Sequence, residues 1–258
     1  MMGRGDGEDE AGRIPGKEPL RPLLPRRFYK TAAVARSQDG YAVRLDGRPV
    51  RTPKKHLLVL PTGALADAVA AEWNAQGERV DPDTMPLTKL ANTALDGVVP
   101  HRAAVAADIV AYAGSDLLCY RAAAPEPLAR RQHAAWNPVL AWAEADLGAH
   151  FALGEGVMPV AQSQAALARV AAAVDGFGPL QLAALHVMTT LTGSALLALA
   201  HALGRLTLEQ AWAAAHVDEE WQVSQWGEDA EAAARQRRRL AEMRAASEFF
   251  RLAKDKGG

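Results

Sequence analysis

The sequence predicts an α+β fold, in which a small N-terminal antiparallel β-rich domain is followed by a larger all-helical one. Three observations carry this. Up to Leu60 the apolar positions alternate, with Tyr41, Val43 and Leu45 set against Ala42, Arg44 and Asp46. Two Asp-Gly pairs, Asp39-Gly40 and Asp46-Gly47, punctuate that stretch as hairpin turns. After Pro61 the spacing lengthens to that of a helix and remains helical to the end of the chain.

The elements follow in order. Residues 1–24, rich in Gly, Pro and mixed charge, predict a disordered tail, and the triplet Arg4-Gly5-Asp6 within it is a chance match of composition. FYKTAAVAR, YAVRLD, RPVRTP and HLLVLP form a small antiparallel meander, which opens a β-rich domain over 25–98. Thr62 caps a helix in which Leu65, Val69 and Trp73 recur every fourth residue, and Gly77 ends it. Pro82 and Pro86 bracket a turn, with Pro86 at the first position of the next helix.

The helical domain spans 99–254. Val105, Ile109 and Tyr112 share a face of its first helix, and Pro138 interrupts the segment Leu128–Leu147 with an expected kink. Ser163 caps a helix that Gly176 stops. Residues 179–204 are long and apolar enough to raise a membrane span, but six polar groups spread along them, from His186 to His201, predict one buried central helix instead. His186 and His201 read as hydrogen-bonded core or rim histidines. Thr207 and Gln210 form a capping box that opens a helix closed by Gly227, and Glu228–Lys254 forms the last helix.

Composition narrows the function classes. At 258 residues, 49% hydrophobic and 23% charged, the chain buries a real core, and its net charge of −1 gives no general attraction to nucleic acid or an anionic membrane. The single cysteine, Cys119, permits no disulfide framework and fits a reducing compartment. No Gly-rich phosphate loop, GxSxG, HExxH or multi-Cys zinc pattern occurs, so the sequence predicts no cofactor, no metal site and no catalytic residue. The arginine run Arg235, Arg237, Arg238, Arg239 and Arg244 is interleaved with Glu231, Glu242 and Glu248. Pairing Glu231 with Arg235 and Arg244 with Glu248 makes it a solvated helix face.

The stretch HVDEEWQVSQWG (216–227) concentrates chemistry-bearing groups. Counting about 100° per residue from Leu208, Ala211, Trp212 and Ala215 define an apolar stripe, on which Glu219, Gln222 and Trp226 also fall. Glu220 flanks the stripe and Asp218 points away, so the acids and His216 do not converge as metal ligands would. A carboxylate on an apolar stripe is costly unless it is paired or left for a partner to cover. Two readings remain open: Glu219 neutralised by an arginine of the neighbouring helix, or Glu219 as a polar anchor in a binding surface with Trp221 and Trp226. An enzyme reading, a small acid/base or metal-dependent hydrolase using Glu219 or Glu220 with His216 or His186, stands as the alternative.

Five blocks in order, RRFYK (26–30), LDGRPVRTP (45–53), AAEWNAQGERVDPDTMPLTKLANTALD (70–96), DLLCYR (116–121) and DEEWQVSQWG (218–227), resemble the ATP synthase assembly chaperone family that handles the free α subunit. The resemblance runs from Arg26 to Leu252 and implies the same β-then-helical architecture. It further implies a non-enzymatic protein without nucleotide, which binds unassembled α subunit and shields its β-subunit interface until the ring forms. The family's functionally important acidic position in the C-terminal helices falls on Glu219 or Glu220, with Glu219 favoured by the helical count. Gln222, Trp221 and Trp226 accompany it, and Trp73 carries over as a fold-critical residue. For the rest, the expectation is a monomeric chain in a bacterial cytoplasm that binds no nucleic acid and does not span a membrane.

Overall fold

The computed structural model describes residues 24–156 and 158–254. The tail expected over 1–24 therefore falls, but for Leu24, outside the described residues. An antiparallel sheet opens the chain and helices dominate the rest, as the change in periodicity requires. Strands β1 (Ala32–Ser37) and β2 (Gly40–Leu45) pair from Ala32↔Leu45 to Ser37↔Gly40. The short β3 (Arg48–Pro49) and β4 (Val59–Leu60) both lie on the other side of β2. Asp46 takes φ 46° at the second turn, and its carboxylate accepts the Thr31 and Lys30 amides, which hold the carboxyl below its usual range.

Helix α1 (Gly63–Asn74) buries Leu65, Ala66, Val69 and Ala70. Thr62 caps it, accepting from the Leu65 amide at 3.2 Å, and donates in turn to the Leu252 carbonyl at 2.6 Å, which ties the start of α1 to the end of the chain. The helix stops at Asn74, short of Gly77, and the polar side chains around its end bond to other elements. Glu72 accepts the Leu87 and Thr88 amides and the Thr88 hydroxyl, each at 2.7 Å. It thus caps α2 (Pro86–Thr93), whose own N-cap residue, Met85, offers no side-chain bond. Asn74 pairs with both the N–H and C=O of Ala32, and Gln76 bonds the Glu72 carbonyl, the Thr84 hydroxyl and the Asp81 amide. Trp73 is half-buried, edge-on to Tyr29 at 5.6 Å, and its carbonyl accepts the Tyr29 hydroxyl.

The remaining helices are α3 (Arg102–Gly114), α4 (Glu126–Trp142), α5 (Gln164–Asp175), α6 (Pro179–Thr192), α7 (Ala195–Ala202), α8 (Leu208–Ala215), α9 (Val217–Trp226) and α10 (Ala230–Ala253). Pro138 lies inside α4, whose last turn widens through Leu147 and ends at left-handed Gly148. A two-residue parallel pair unforeseen in the sequence, β5 (Tyr120–Arg121) with β6 (Gly154–Glu155), interrupts the helices.

The expected single helix over 179–204 is two. Left-handed Gly193 (φ 66°) ends α6, and Ser194 caps α7 by accepting the Leu197 amide. The buried Asp116 stitches this break, accepting the Leu118 amide at 3.1 Å and the Leu196 amide at 3.0 Å. Burial pushes its carboxyl up to about 6, and burial with Asp116 nearby pushes the Cys119 thiol up to about 12. Among the described residues no helix is long and apolar enough to cross a membrane.

The helix expected from Leu208 to Trp226 also divides, at His216 (φ −118°, ψ 22°). The His216 ring stacks on Trp212 with centroids 3.9 Å apart, and its Nδ1 donates to the Trp212 carbonyl at 2.8 Å. That bond takes the place of the amide the next turn of helix would have sent there. One of the two expected ion pairs forms. Glu231 pairs with Arg235 at 3.7 Å as spaced, whereas Glu248 pairs with Arg251 rather than Arg244. One continuous core cluster runs from Tyr29 to Ala253, with α10 packed across α1, α2 and α6.

Candidate partner-binding surface

The break at His216 changes the geometry of the acidic stretch. The stripe of α8 continues into Val217 and ends there; Glu219 and Gln222, predicted on it, are exposed. Asp218, predicted to point away, is half-buried and accepts from Gln132 of α4 at 2.7 Å. Packing of α9 is against α4, and Gly227 (φ 88°) then turns the chain so that α10 starts beside α9. Asp229 caps α10 by accepting the Glu231 and Ala232 amides.

A groove of about 460 Å³ is left between α9 and α10, with Val223, Ala232 and Ala233 as apolar lining. Glu219, Gln222 and Trp226 border it from α9, Arg235, Gln236 and Arg239 from α10. Trp226 is 79% exposed and Val223 46%, which is unusual for residues of that size and apolarity. Glu219 makes no side-chain hydrogen bond or ion pair among the described residues. Arg239, which borders the same groove, donates to the Leu191 carbonyl at 2.8 Å, and Arg235 pairs with Glu231. The ion pair expected by the first of the two readings is therefore not formed: the carboxylate stands exposed at the lip of the groove, without an ionic partner among the described residues. A second groove of about 490 Å³, between the end of α6 and the start of α9, shares His216, Glu219 and Arg239 with the first. Glu219 sits on the ridge between them.

Glu220 lies elsewhere. It borders a third depression of about 550 Å³ toward α4 and α8, whose lining of Ala134, Ala135, Pro138, Val139, Leu206 and Val217 is largely apolar. Trp221 belongs to that side too, half-buried with the Arg131 guanidinium 4.9 Å from its ring centre. The predicted set thus separates by face, with Glu219, Gln222 and Trp226 together and Glu220 and Trp221 across the helix.

The histidines named for an acid/base site are otherwise engaged. His216 is buried on Trp212, and His186 is bonded to Asp108 at 2.7 Å on the α3–α6 side. No group of three or more metal-ligating side chains occurs among the described residues. Arg235 and Arg239 are the site residues the sequence did not suggest, since their run reads as a solvated face. The signal was the Gly227 turn, which folds the start of α10 back beside the end of α9.

The family model described as ATP12 chaperone protein matches residues 26–144. Atp12 from Paracoccus denitrificans is similar to this chain at 45% identity and TM-score 0.85, over 89% of this chain and 99% of its own. An Asp-to-Lys mutant of the same organism's Atp12p gives 44% identity and TM-score 0.85, over 89% and 98%. The Atu1473 protein from Agrobacterium tumefaciens gives 52% identity and TM-score 0.87, over 90% and 87%. Such identity over nearly the whole of each chain, with the same hairpin-then-helices architecture, places the protein in a family: it belongs to the ATP12 chaperone family.

Proposed function

We propose that the protein is an assembly chaperone of the ATP synthase F1 head, which binds the free α subunit and shields its β-subunit interface until the ring forms. The observation that carries this reading is the unpaired Glu219 beside exposed Trp226 and Val223 on one groove. An exposed subunit interface is apolar with a few charges and prone to aggregate. The surface that covers it transiently needs aromatic area for affinity and a charge for register, without the extreme affinity that would block release. Glu219, Gln222 and Trp226 supply these elements on one side of α9. In this reading Glu219, not Glu220, is the acidic anchor. The protein acts as a monomer in the bacterial cytoplasm, without catalysis, cofactor or metal, and its β-rich 25–98 and helical 99–254 parts are its two domains.

Native co-purification with tagged free α subunit tests the reading. Wild type is retained, Glu219→Lys is released with its circular dichroism unchanged, and Glu220→Lys is retained. Failure of wild type to hold free α subunit overturns the proposal. Stoichiometric binding of a divalent metal, measured by calorimetry, would favour the hydrolase instead.

A further inference from the structure

A separate groove of about 500 Å³ lies at the far end of the hairpin, between the close of β1, the start of α1 and the close of α10. Its charged lining is Arg36, Arg251 and Lys254, and none of the described residues lining it is acidic. Arg36 comes from the strand and stands 5.9 Å from the Tyr41 ring centre. The last turn of α10 contributes Arg251 and Lys254, held in place by the Thr62 bond to the Leu252 carbonyl. Helix C-termini attract cations, which accounts for Arg251 and Lys254 but not for Arg36 on the opposing wall. Glu248 reaches Arg251 only at 3.9 Å, with both side chains mostly exposed, so it offsets little of the charge. The α1 N-terminus on the same groove adds further positive potential.

The strand beside it has an open edge. The Asp46 amide donates to the Thr31 carbonyl, so by the alternation of an antiparallel pair Ala33, Ala35 and Ser37 face β2. Ala32, Val34 and Arg36 turn their backbone groups the other way. Asn74 occupies those of Ala32, while Arg36 is exposed beside the groove. Unpaired edge groups next to concentrated like charge suit an extended segment of opposite charge.

We propose that this groove docks an acidic, extended polypeptide segment, its backbone along β1 at Arg36 and its carboxylates on Arg36, Arg251 and Lys254. The site is independent of the α9–α10 groove. The two lie toward opposite ends of α10, a helix of 24 residues and so about 36 Å long.

The test is anisotropy titration of a labelled peptide of alternating Glu and Val with the full chain, at low and moderate salt. Wild type binds saturably and more weakly as salt is added. Arg36→Glu with Lys254→Glu weakens binding about tenfold and Lys254→Glu alone about threefold, with circular dichroism unchanged. Arg36→Lys and Glu219→Lys bind as wild type, and amide exchange at Arg36 slows in the complex. The proposal is overturned if the peptide does not bind, or if both charge reversals leave binding unchanged. It is equally overturned if inorganic phosphate at matched charge displaces the peptide completely, or if the Arg36 amide exchanges at the same rate with and without it.

Discussion

Two segments of this chain carry a Glu-Trp pair within a polar block, and they do opposite things with it. In Glu72–Gln76 the polar side chains of Glu72, Asn74 and Gln76 are spent inside the fold: Glu72 caps α2, Asn74 clasps β1, Gln76 closes the following turn. In Asp218–Gly227, among the described residues, Asp218 alone is hydrogen-bonded through its side chain to another element, while Glu219, Gln222 and Trp226 border an open groove. Polar groups that are saturated by their own chain hold structure; those that are left open on an apolar surface are available to another molecule. The difference is one of partners, not of residue type.

Single substitutions in the two blocks should therefore have different consequences. Trp73→Ala removes the ring packed against Tyr29 and is expected to destabilise by about 3 kcal/mol in urea unfolding. Any loss of partner capture should then follow the unfolded fraction, and loss in fully folded protein would place Trp73 at the interface. The buried Asp116 has an effect of comparable size that depends on pH. Its folded carboxyl is raised to about 6, so its stabilising contribution is complete below the unfolded value of 3.8 and is lost as pH rises through about 6. Wild type measured against Asp116→Asn should therefore lose on the order of 3 kcal/mol of relative stability over that window and be flat above it. A relative stability that rises with pH would contradict the assignment.

Glu72→Ala strips the acceptors from the start of α2 and is expected to cost about 2 kcal/mol, with amide exchange quickening at Leu87 and Thr88. At the small end, Trp226→Ala should change stability by no more than about 0.5 kcal/mol, because the ring is exposed, yet weaken capture of the partner. Unfolding of that variant at the same level as Trp73→Ala would erase the distinction between the two blocks.

Much of the architecture was legible because it depends on local signals. The Asp-Gly turns, the Thr62, Ser163 and Thr207 caps and Pro86 at a helix start all form as their chemistry dictates. The breaks were not legible. The apolar run 179–204 reads as one helix, but Gly193-Ser194 is a C-cap followed by an N-cap, a distinction of backbone angle. At His216 neither Gly nor Pro marks the break, because a side chain bonding four residues back ends α8. That break resets the helical count, which is why Glu219 was legible as a candidate while its surroundings were not. Arg239 and Arg235 complete the groove through a turn that brings separate helices together, and the caps made by Glu72 and Asp116 likewise join residues far apart in sequence.

In the proposed function α9 meets its partner through the Glu219 face. The most direct test is a titration of purified free ATP synthase α subunit with wild type, Glu219→Lys and Glu220→Lys, by anisotropy or calorimetry under conditions where all three are folded. The account predicts that Glu219→Lys weakens binding at least about tenfold, roughly the 1.4 kcal/mol of a desolvated charge contact, while Glu220→Lys stays near wild type. Equal binding by wild type and Glu219→Lys, or a loss confined to Glu220→Lys, would contradict it.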